Sequence, residues 1–93
     1  MPDESCRIDV WLWRARFFKT RTLAAQMVET GRIHLTRGGL PGRPEKPSRP
    51  VRIGDELVFA IAGRLTAVRV EGLGTRRGPP QEAQGLYTRL EDS

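Results

Sequence analysis

The hydrophobic and polar positions between residues 8 and 18 predict an amphipathic helix. When each residue advances by 100°, the apolar residues of this segment fall within one arc that can face a core. They are Ile8, Trp11, Leu12, Ala15 and Phe18. Arg7 and Arg14 are predicted to lie together beside this arc. Asp9, Trp13 and Arg16 are predicted to face away from the core.

A second helix is predicted to begin at Thr20, because a threonine hydroxyl can accept a hydrogen bond from a free amide of the first helical turn. Four apolar residues share one face of this helix, which is predicted to be buried. They are Leu23, Ala24, Met27 and Val28. Gly31 is predicted to end the helix in the left-handed conformation, which suits a residue without a side chain.

Alternating apolar and polar residues predict the strands of a small antiparallel sheet. In the first strand, Ile33 and Leu35 are predicted to face the core, whereas Arg32 and His34 face outward. Further alternating segments lie at 51–53, 57–61 and 65–70. The last two are predicted to be joined by a two-residue type II′ turn with Gly63 at its first central position.

Residues 36–50 contain four prolines and three glycines, a density that predicts a loop. Two interpretations of this loop remain open: slack between strands, or a segment whose bases also contact phosphate. The tail is predicted to contain a basic turn at Arg76 and Arg77, followed by a helix that begins at Pro79 and Pro80. The apolar positions of that helix are Ala83, Leu86, Tyr87 and Leu90. The predicted fold class is α+β, with two N-terminal helices packed on a small antiparallel sheet and a C-terminal helix.

The length and cysteine content exclude several classes of protein. Ninety-three residues are enough for one small domain with one modest core. No apolar run approaches the length that spans a bilayer, and the first residues lack the features of a signal peptide, so we expect a cytoplasmic protein without membrane contact. One cysteine, Cys6, and one histidine provide neither an intramolecular disulfide nor the spacing of a zinc site, so no metal or cofactor is predicted.

Positive charge is concentrated in one half of the chain. Residues 5–52 hold eleven Lys and Arg against three acids, whereas residues 53–93 hold five bases against six acids. Fourteen of the sixteen bases are arginines, which make forked contacts to phosphate oxygens and stack on bases. This asymmetry points to a polyanionic partner.

Catalytic motifs are absent from the sequence. It has no Walker-type glycine loop and no nucleophile elbow, and His34 has no identifiable Cys or Ser partner. We therefore expect a binding protein and not an enzyme.

The start of the second helix is the predicted centre of an anion-binding surface. Free backbone amides and the positive end of the helix dipole are flanked there by Lys19 and Arg21. Arg7 and Arg14 are predicted to flank the same groove, with Arg32 beside it. Any one arginine taken alone is better explained as a solvated surface charge, whereas the set favours a bound anion. Trp11 is predicted to be core; for Trp13, packing against the tail is favoured over base stacking.

Several short motifs in these segments resemble the S4 domain, an RNA-binding fold also called the αL motif. They are R-I-D-x-x-L (Arg7 to Leu12), K-T-R (Lys19 to Arg21), Gln26, G-R-I-H-L (Gly31 to Leu35) and P-S-x-x-V-x-x-G-D (Pro47 to Asp55). Three segments are similar to one member family, the bacterial ribosome-associated heat shock protein 15 family. They are residues 11–21, K-P-S at 46–48 and R-R-G-P-P in the tail. Relative to that pattern, Thr36 to Gly39 replace an Asn-Gly turn, the next loop is longer and the tail stops early.

The resemblance implies an RNA-binding domain at 7–71. The segment before it, 1–6, is predicted to be disordered as a chain terminus, and the segment after it, 72–93, holds the basic turn and helix predicted above. The resemblance also implies a heat-shock-associated protein that binds ribosomal RNA, and tRNA carrying a stalled nascent chain, on the free large (50S) ribosomal subunit, so that the subunit can be recycled. We expect the protein to be a monomer. The implied RNA contacts are Arg7, Arg14, Lys19, Thr20, Arg21, Gln26 and Arg32. Further candidate contacts are Arg16, His34, Arg37, Lys46 and Arg49. Two alternatives remain: general nucleic-acid binding, weaker DNA binding included, and a protein-interaction module that docks on an acidic partner.

Overall fold

The fold combines three helices with seven short strands in a computed structural model that describes residues 4–90. The elements are β1 (Cys6–Arg7), α1 (Ile8–Arg14), α2 (Arg21–Glu29), β2 (His34–Arg37), β3 (Leu40–Gly42), β4 (Pro50–Val51), β5 (Glu56–Ile61), β6 (Arg64–Val70), α3 (Pro80–Gln84) and β7 (Tyr87–Arg89). Five strands form one antiparallel sheet in the order β3-β2-β5-β6-β7, and β1 pairs with β4 apart from it. The predicted α+β class, with two N-terminal helices, an antiparallel sheet and a C-terminal helix, is confirmed. Within residues 4–90, no helix has the length and apolar character that a bilayer crossing needs.

The core lies between the first two helices and one face of the sheet. Leu35, Leu57 and Val68 are paired across three neighbouring strands and are all buried. From the helices, the predicted arc of Ile8, Trp11, Leu12 and Ala15 is buried against them, as are Ala24 and Val28. Trp11 is fully buried, and its Nε1 donates a hydrogen bond of 2.7 Å to the carbonyl oxygen of Gly72. The prediction that Trp11 is a core residue is therefore confirmed.

The first helix ends earlier than its apolar pattern predicts. α1 stops at Arg14, and Arg16 adopts a left-handed conformation with φ of 66°. This turn redirects the chain, so Phe17 enters an aromatic cluster in which its ring lies 5.0 Å from Phe59 and 4.7 Å from Tyr87. The prediction of a helix through Phe18 is wrong, because a left-handed residue cannot continue a right-handed helix.

The proline-rich loop caps the first helix. The backbone amide of Ile8 donates to the carbonyl oxygen of Arg49 at 2.8 Å, and that of Asp9 donates to Pro47 at 3.3 Å. These carbonyls satisfy amides that a helix start leaves without an intrahelical partner. Cys6 pairs with Val51 in the β1–β4 ladder, so it does not share the disorder expected for 1–6; positions 1–3 lie outside the described residues. The loop is therefore attached to α1 and is not simple slack.

Two hairpins differ from the sequence-based expectation. Gly38 and Gly39 both have positive φ, which allows a tight turn that pairs β3 with β2 inside the segment predicted to be loop. In the β5–β6 hairpin, the turn residues are Ala62 and Gly63, since Ile61 pairs with Arg64. Both turn residues have positive φ, as a type I′ turn requires, so the predicted type II′ turn beginning at Gly63 is wrong.

The tail is part helix and part strand. α3 ends at Gln84, and β7 then pairs antiparallel with β6, with Tyr87 opposite Val70. The helical positions predicted for Tyr87 and Leu90 are wrong, because pairing with the edge of β6 satisfies more backbone groups than one more helical turn after Gly85. The tail thus completes the five-stranded sheet.

Candidate nucleic-acid interface

The start of α2 has the geometry that its sequence predicts. Thr20 has extended backbone angles and precedes the helix, and its Oγ1 accepts a hydrogen bond of 3.0 Å from the backbone N–H of Leu23. At the other end, Gly31 has φ of 74°. The helix therefore presents its remaining first-turn amides and its positive dipole end at Arg21.

Exposed cations surround this helix. Lys19, Arg21 and Arg32 are exposed, and their side chains make no hydrogen bond or ion pair with any of residues 4–90. Gln26 is also exposed and, with Arg32, lines the same shallow cavity beside α2. We call these residues, with the Thr20 cap, the α2 face. Its charges are available to an anion from outside the chain, since nothing in the described part of the molecule neutralises them.

Arg7 is held by a carboxylate in the core. Its Nε and Nη2 donate to Oδ1 and Oδ2 of Asp9 at 3.1 and 3.0 Å, and Asp9 Oδ1 also accepts from the N–H of Val10 at 2.7 Å. Asp9 is 3% exposed, so the prediction that it faces away from the core is wrong. A buried carboxylate needs a cation, and Arg7 supplies it. The Arg7 side chain remains 51% exposed and keeps N–H donors that Asp9 does not use.

Arg14 is directed toward the tail and not toward the α2 face. Its Nη1 donates to the carbonyl oxygens of Leu73 and Gly74 at 3.3 and 2.9 Å. Its Nε is buried and has no hydrogen-bond partner within the described residues. Arg14 thus joins α1 to the segment that leads into the tail, which is a structural role.

Arg37 forms a second clamp of the same kind. Its Nε and Nη2 donate to the two oxygens of Asp55 at 2.9 and 2.8 Å, and Nη2 also contacts the carbonyl oxygen of Pro50. Asp55 is 2% exposed and accepts a third hydrogen bond from the N–H of Arg52. The clamp joins β2, the end of the loop and the turn before β5.

The aromatic and basic residues at the end of α1 are packed against the tail. Arg16 Nε donates to the carbonyl oxygen of Gly78 at 2.7 Å. The guanidinium of Arg77 lies 6.0 Å from the centre of the Trp13 ring, and its Nε donates to the Trp13 carbonyl oxygen. Trp13 is half-buried, which supports the packing interpretation over an open stacking platform.

A second basic surface lies on the loop after β3. His34 is exposed on the outer side of β2, as predicted, and lines a groove of about 540 Å³ together with Arg43 and Glu45. An adjoining groove of about 410 Å³ shares Arg43 and Glu45, and adds Lys46 and Arg49. We call this surface the loop groove. It places the candidates His34, Lys46 and Arg49 close together.

Arg43 is a residue that the sequence analysis did not single out. Its side chain runs past Gly31, where the Arg43 Cδ would lie 3.3 Å from a Cβ atom placed on that glycine. Arg43 therefore joins the loop groove to the end of α2, next to Arg32. The sequence does contain a signal, because Arg43, Lys46 and Arg49 recur at every third position of one loop.

The partial burial of Cys6 lowers the reactivity of its thiol. Burial raises the pKa of the Cys6 thiol, while the nearby Arg14 charge partly opposes this shift. The reactive form is the thiolate, and a raised pKa lowers its population at neutral pH. Among residues 4–90, no group of three or more His, Cys, Asp and Glu side chains is arranged to hold a metal ion.

Comparison with known proteins places the chain in a family. The S4 domain model matches residues 6–35, which contain α1, α2 and the start of β2. Heat shock protein 15 of Escherichia coli K12 is 36% identical over 92 residues, which cover 99% of this chain and 65% of that protein. The Heat shock protein 15 homolog of Haemophilus influenzae is 33% identical over 93 residues, which cover 100% of this chain and 67% of that protein. The chain belongs to the heat shock protein 15 family.

Two further relatives extend this comparison. The heat shock protein 15 of Vibrio cholerae, whose solved structure is described as trimeric, superposes with a TM-score of 0.82 at 38% identity, covering 94% of this chain and 83% of that one. The RQC P-site tRNA stabilizing factor of Bacillus subtilis is 34% identical over 86 residues, which cover 92% of this chain and 93% of that protein. The chain therefore spans about two thirds of the length of its Escherichia coli relative and most of the Bacillus one.

Within this heat shock protein 15 family member, the motif residues divide into two groups. Arg7 with Asp9, and Gly54 with Asp55, belong to the two carboxylate clamps or to the turn beside them. Lys19, Arg21 and Arg32 have exposed side chains without an intramolecular partner in the described region. The first group is engaged in contacts that hold the scaffold, whereas the side chains of the second group remain accessible.

Proposed function

We propose that this chain is a non-catalytic, cytoplasmic RNA-binding protein that binds ribosomal RNA and tRNA on the free large ribosomal subunit. In this role it aids the recycling of subunits that carry a stalled nascent chain. The α2 face is the principal RNA-binding surface, and the loop groove extends it.

The observation that carries this proposal is the set of uncompensated cations on the α2 face. Lys19, Arg21 and Arg32 are exposed and unpaired among residues 4–90, although both nearby buried carboxylates hold arginines of their own. Cations without an intramolecular carboxylate keep their N–H donors for an external anion. A polyphosphate such as RNA supplies several anionic groups along one track, and its binding releases counterions.

The choice of a ribosomal RNA target is supported by the relatives. Proteins named RQC P-site tRNA stabilizing factor in Bacillus and Listeria match 92% of this chain at 30 to 34% identity. A P-site tRNA is held on the ribosome, so the similarity to these factors favours a composite site made of ribosomal RNA and tRNA. Fold similarity alone would not support this assignment, since one fold hosts many functions.

Sedimentation of the tagged chain with purified ribosomal particles tests the proposal. We expect the chain to travel with free large subunits, more strongly when they carry peptidyl-tRNA, and to be released by RNase treatment. Equal binding to small subunits would contradict the choice of particle. Binding that survives RNase would instead favour docking on an acidic protein.

A further inference from the structure

An apolar cavity of about 270 Å³ lies beside α2, within the α2 face. Its lining residues are Phe18, Leu23, Gln26, Met27, Thr30 and Arg32. Four of them occupy positions i, i+3, i+4 and i+7 of α2, so they form one stripe along that helix. The cavity runs from the first turn of α2 to its C-terminal end.

The apolar residues of this stripe are only partly buried by the core. The apolar pattern of α2 predicts that Leu23 and Met27 are buried, but Leu23 is 46% exposed and Met27 is only half-buried. The core side of α2 is made by Ala24 and Val28, which are fully buried. The prediction is therefore wrong for Leu23. The cavity therefore combines accessible apolar side chains with an unpaired cation, Arg32, which suggests a ligand that has both an apolar part and an anionic part.

Two lining residues of the cavity, Phe18 and Thr30, are held by contacts within the chain. The Phe18 ring packs against the buried Phe59 ring, with 6.1 Å between their centres. At the C-terminal end, Thr30 Oγ1 donates to the carbonyl oxygen of Met27 at 2.8 Å, which fixes that side chain. A preformed cavity loses little conformational entropy when a ligand enters it.

The polar groups at the edge of the cavity fit the two parts of a nucleotide. The exposed Gln26 amide can both donate and accept hydrogen bonds, as the edge of a base requires. The unpaired guanidinium of Arg32 can bind an adjacent phosphate. The volume lies just below the range of roughly 300–1,000 Å³ that drug-sized ligands occupy, so it suits one small planar ring.

We propose that this cavity binds a single unstacked nucleobase of the RNA, which packs on Phe18, Leu23 and Met27 while its phosphate contacts Arg32. This inference rests on the proposed function and specifies the RNA: a loop, bulge or end with a free base, and not a continuous duplex. An apolar protein side chain would also fit the walls, but the surrounding positive charge favours a ligand that carries phosphates.

Fluorescence titration with matched RNA hairpins tests this inference. One hairpin carries a single bulged 2-aminopurine, the second an abasic bulge at the same position, and the third has no bulge. We expect the chain to bind the base-containing bulge about tenfold more tightly than the other two, and stacking to quench the fluorophore. Leu23→Ser should remove this preference and the quenching, while affinity for the fully paired hairpin stays unchanged.

Two control variants separate the possible outcomes. Leu40→Ser alters another exposed leucine, on the β2–β3 hairpin and outside the cavity, and should change nothing. Arg21→Ala should weaken binding to all three hairpins alike, because it removes a phosphate contact. If the chain binds all three hairpins equally and Leu23→Ser behaves as wild type, the base-binding cavity is refuted while RNA binding stands. If no hairpin binds, the proposed function fails as well.

A thermal melt confirms that each variant is folded, and Gln26→Ala, at an exposed position, supplies an independent second test.

Discussion

Arginine side chains are paired with buried carboxylates in the two clamps, but they are unpaired on the α2 face within residues 4–90. In the clamps, Arg7 and Arg37 are held in forked geometry by Asp9 and Asp55, both almost fully buried. On the α2 face, Arg21 and Arg32 have no acidic neighbour that pairs with them among residues 4–90. A cation paired inside the molecule stabilises the fold, whereas an unpaired one keeps its donors for an external anion. Net charge alone therefore overstates the binding surface of this chain.

The tail makes the same distinction at the protein surface. Arg76 pairs with Glu82 at 2.9 Å and Arg77 covers Trp13, so the basic turn predicted there is engaged within the molecule. The Glu82 interaction raises the pKa of Arg76, which is already protonated at every pH of interest. The tail thus contributes strand pairing and packing more than free charge.

The largest effect is expected when a clamp is broken. Asp55→Ala leaves Arg37 without its carboxylate and removes the acceptor of the Arg52 N–H, so we expect a loss of about 3 kcal/mol in the free energy of unfolding. Urea denaturation measures it. Glu82→Ala is the matched control, because it breaks an exposed pair and should leave the urea midpoint nearly unchanged. Equal effects of the two substitutions would remove the contrast between buried and exposed pairs.

The next effect concerns binding and not stability. Arg21→Ala combined with Arg32→Ala should weaken RNA binding at least tenfold, or about 1.4 kcal/mol, while unfolding changes by less than about 0.5 kcal/mol. The charge-matched control is Arg64→Ala combined with Arg76→Ala, which removes two exposed arginines elsewhere. Fluorescence anisotropy with one RNA hairpin compares the affinities of the two double variants. Equal losses in both would mean that total charge, and not the α2 face, decides binding.

A smaller effect is expected at the cap of α2. Thr20→Ala removes the acceptor of the Leu23 N–H, so the free energy of unfolding should fall by about 1 kcal/mol. Thr20→Ser keeps the hydroxyl and should retain most of the stability, as thermal denaturation can show. A loss of the same size in the serine variant would indicate that the methyl group, and not the cap, matters.

The smallest expected effect concerns the alkylation rate of Cys6. Because burial raises its pKa, Cys6 should react with iodoacetamide more slowly than a free cysteine at pH 8, and the rate should keep rising as the pH increases beyond that value. Unfolding in urea should restore the ordinary rate. Mass spectrometry of the alkylated chain measures both rates, and a fast reaction of the folded protein would contradict the burial of Cys6.

Local signals in the sequence were sufficient for part of this architecture. The Thr20 cap, the left-handed Gly31 and the burial of Trp11 follow from interactions between neighbouring residues or from a strong apolar period. The left-handed Arg16 could not be predicted, because arginine rarely adopts that conformation and only the tertiary packing of Phe17 explains it. The strand at β7 likewise depends on a free sheet edge that no local pattern reveals.

The candidate site was predictable only as a set of charges. Nothing near Arg37 in the sequence indicates that Asp55, eighteen residues later, will hold it. Arg7 has its partner two residues away, but the carboxylate was expected to face solvent. Long-range packing decides which arginines remain unpaired. Arg21 and Arg32 can therefore be distinguished from the other arginines only in the three-dimensional structure.

The most direct test of the central claim is the salt dependence of RNA affinity for the wild type and for the Arg21→Ala, Arg32→Ala variant. If the α2 face and the loop groove together contact about five phosphates, the slope of log K against log salt concentration should lie near −4 to −5 on duplex-like RNA. The variant should reduce the magnitude of that slope by about two. A slope near zero, or an equal slope in the variant, would contradict the claim that unpaired cations of the α2 face bind the phosphate backbone.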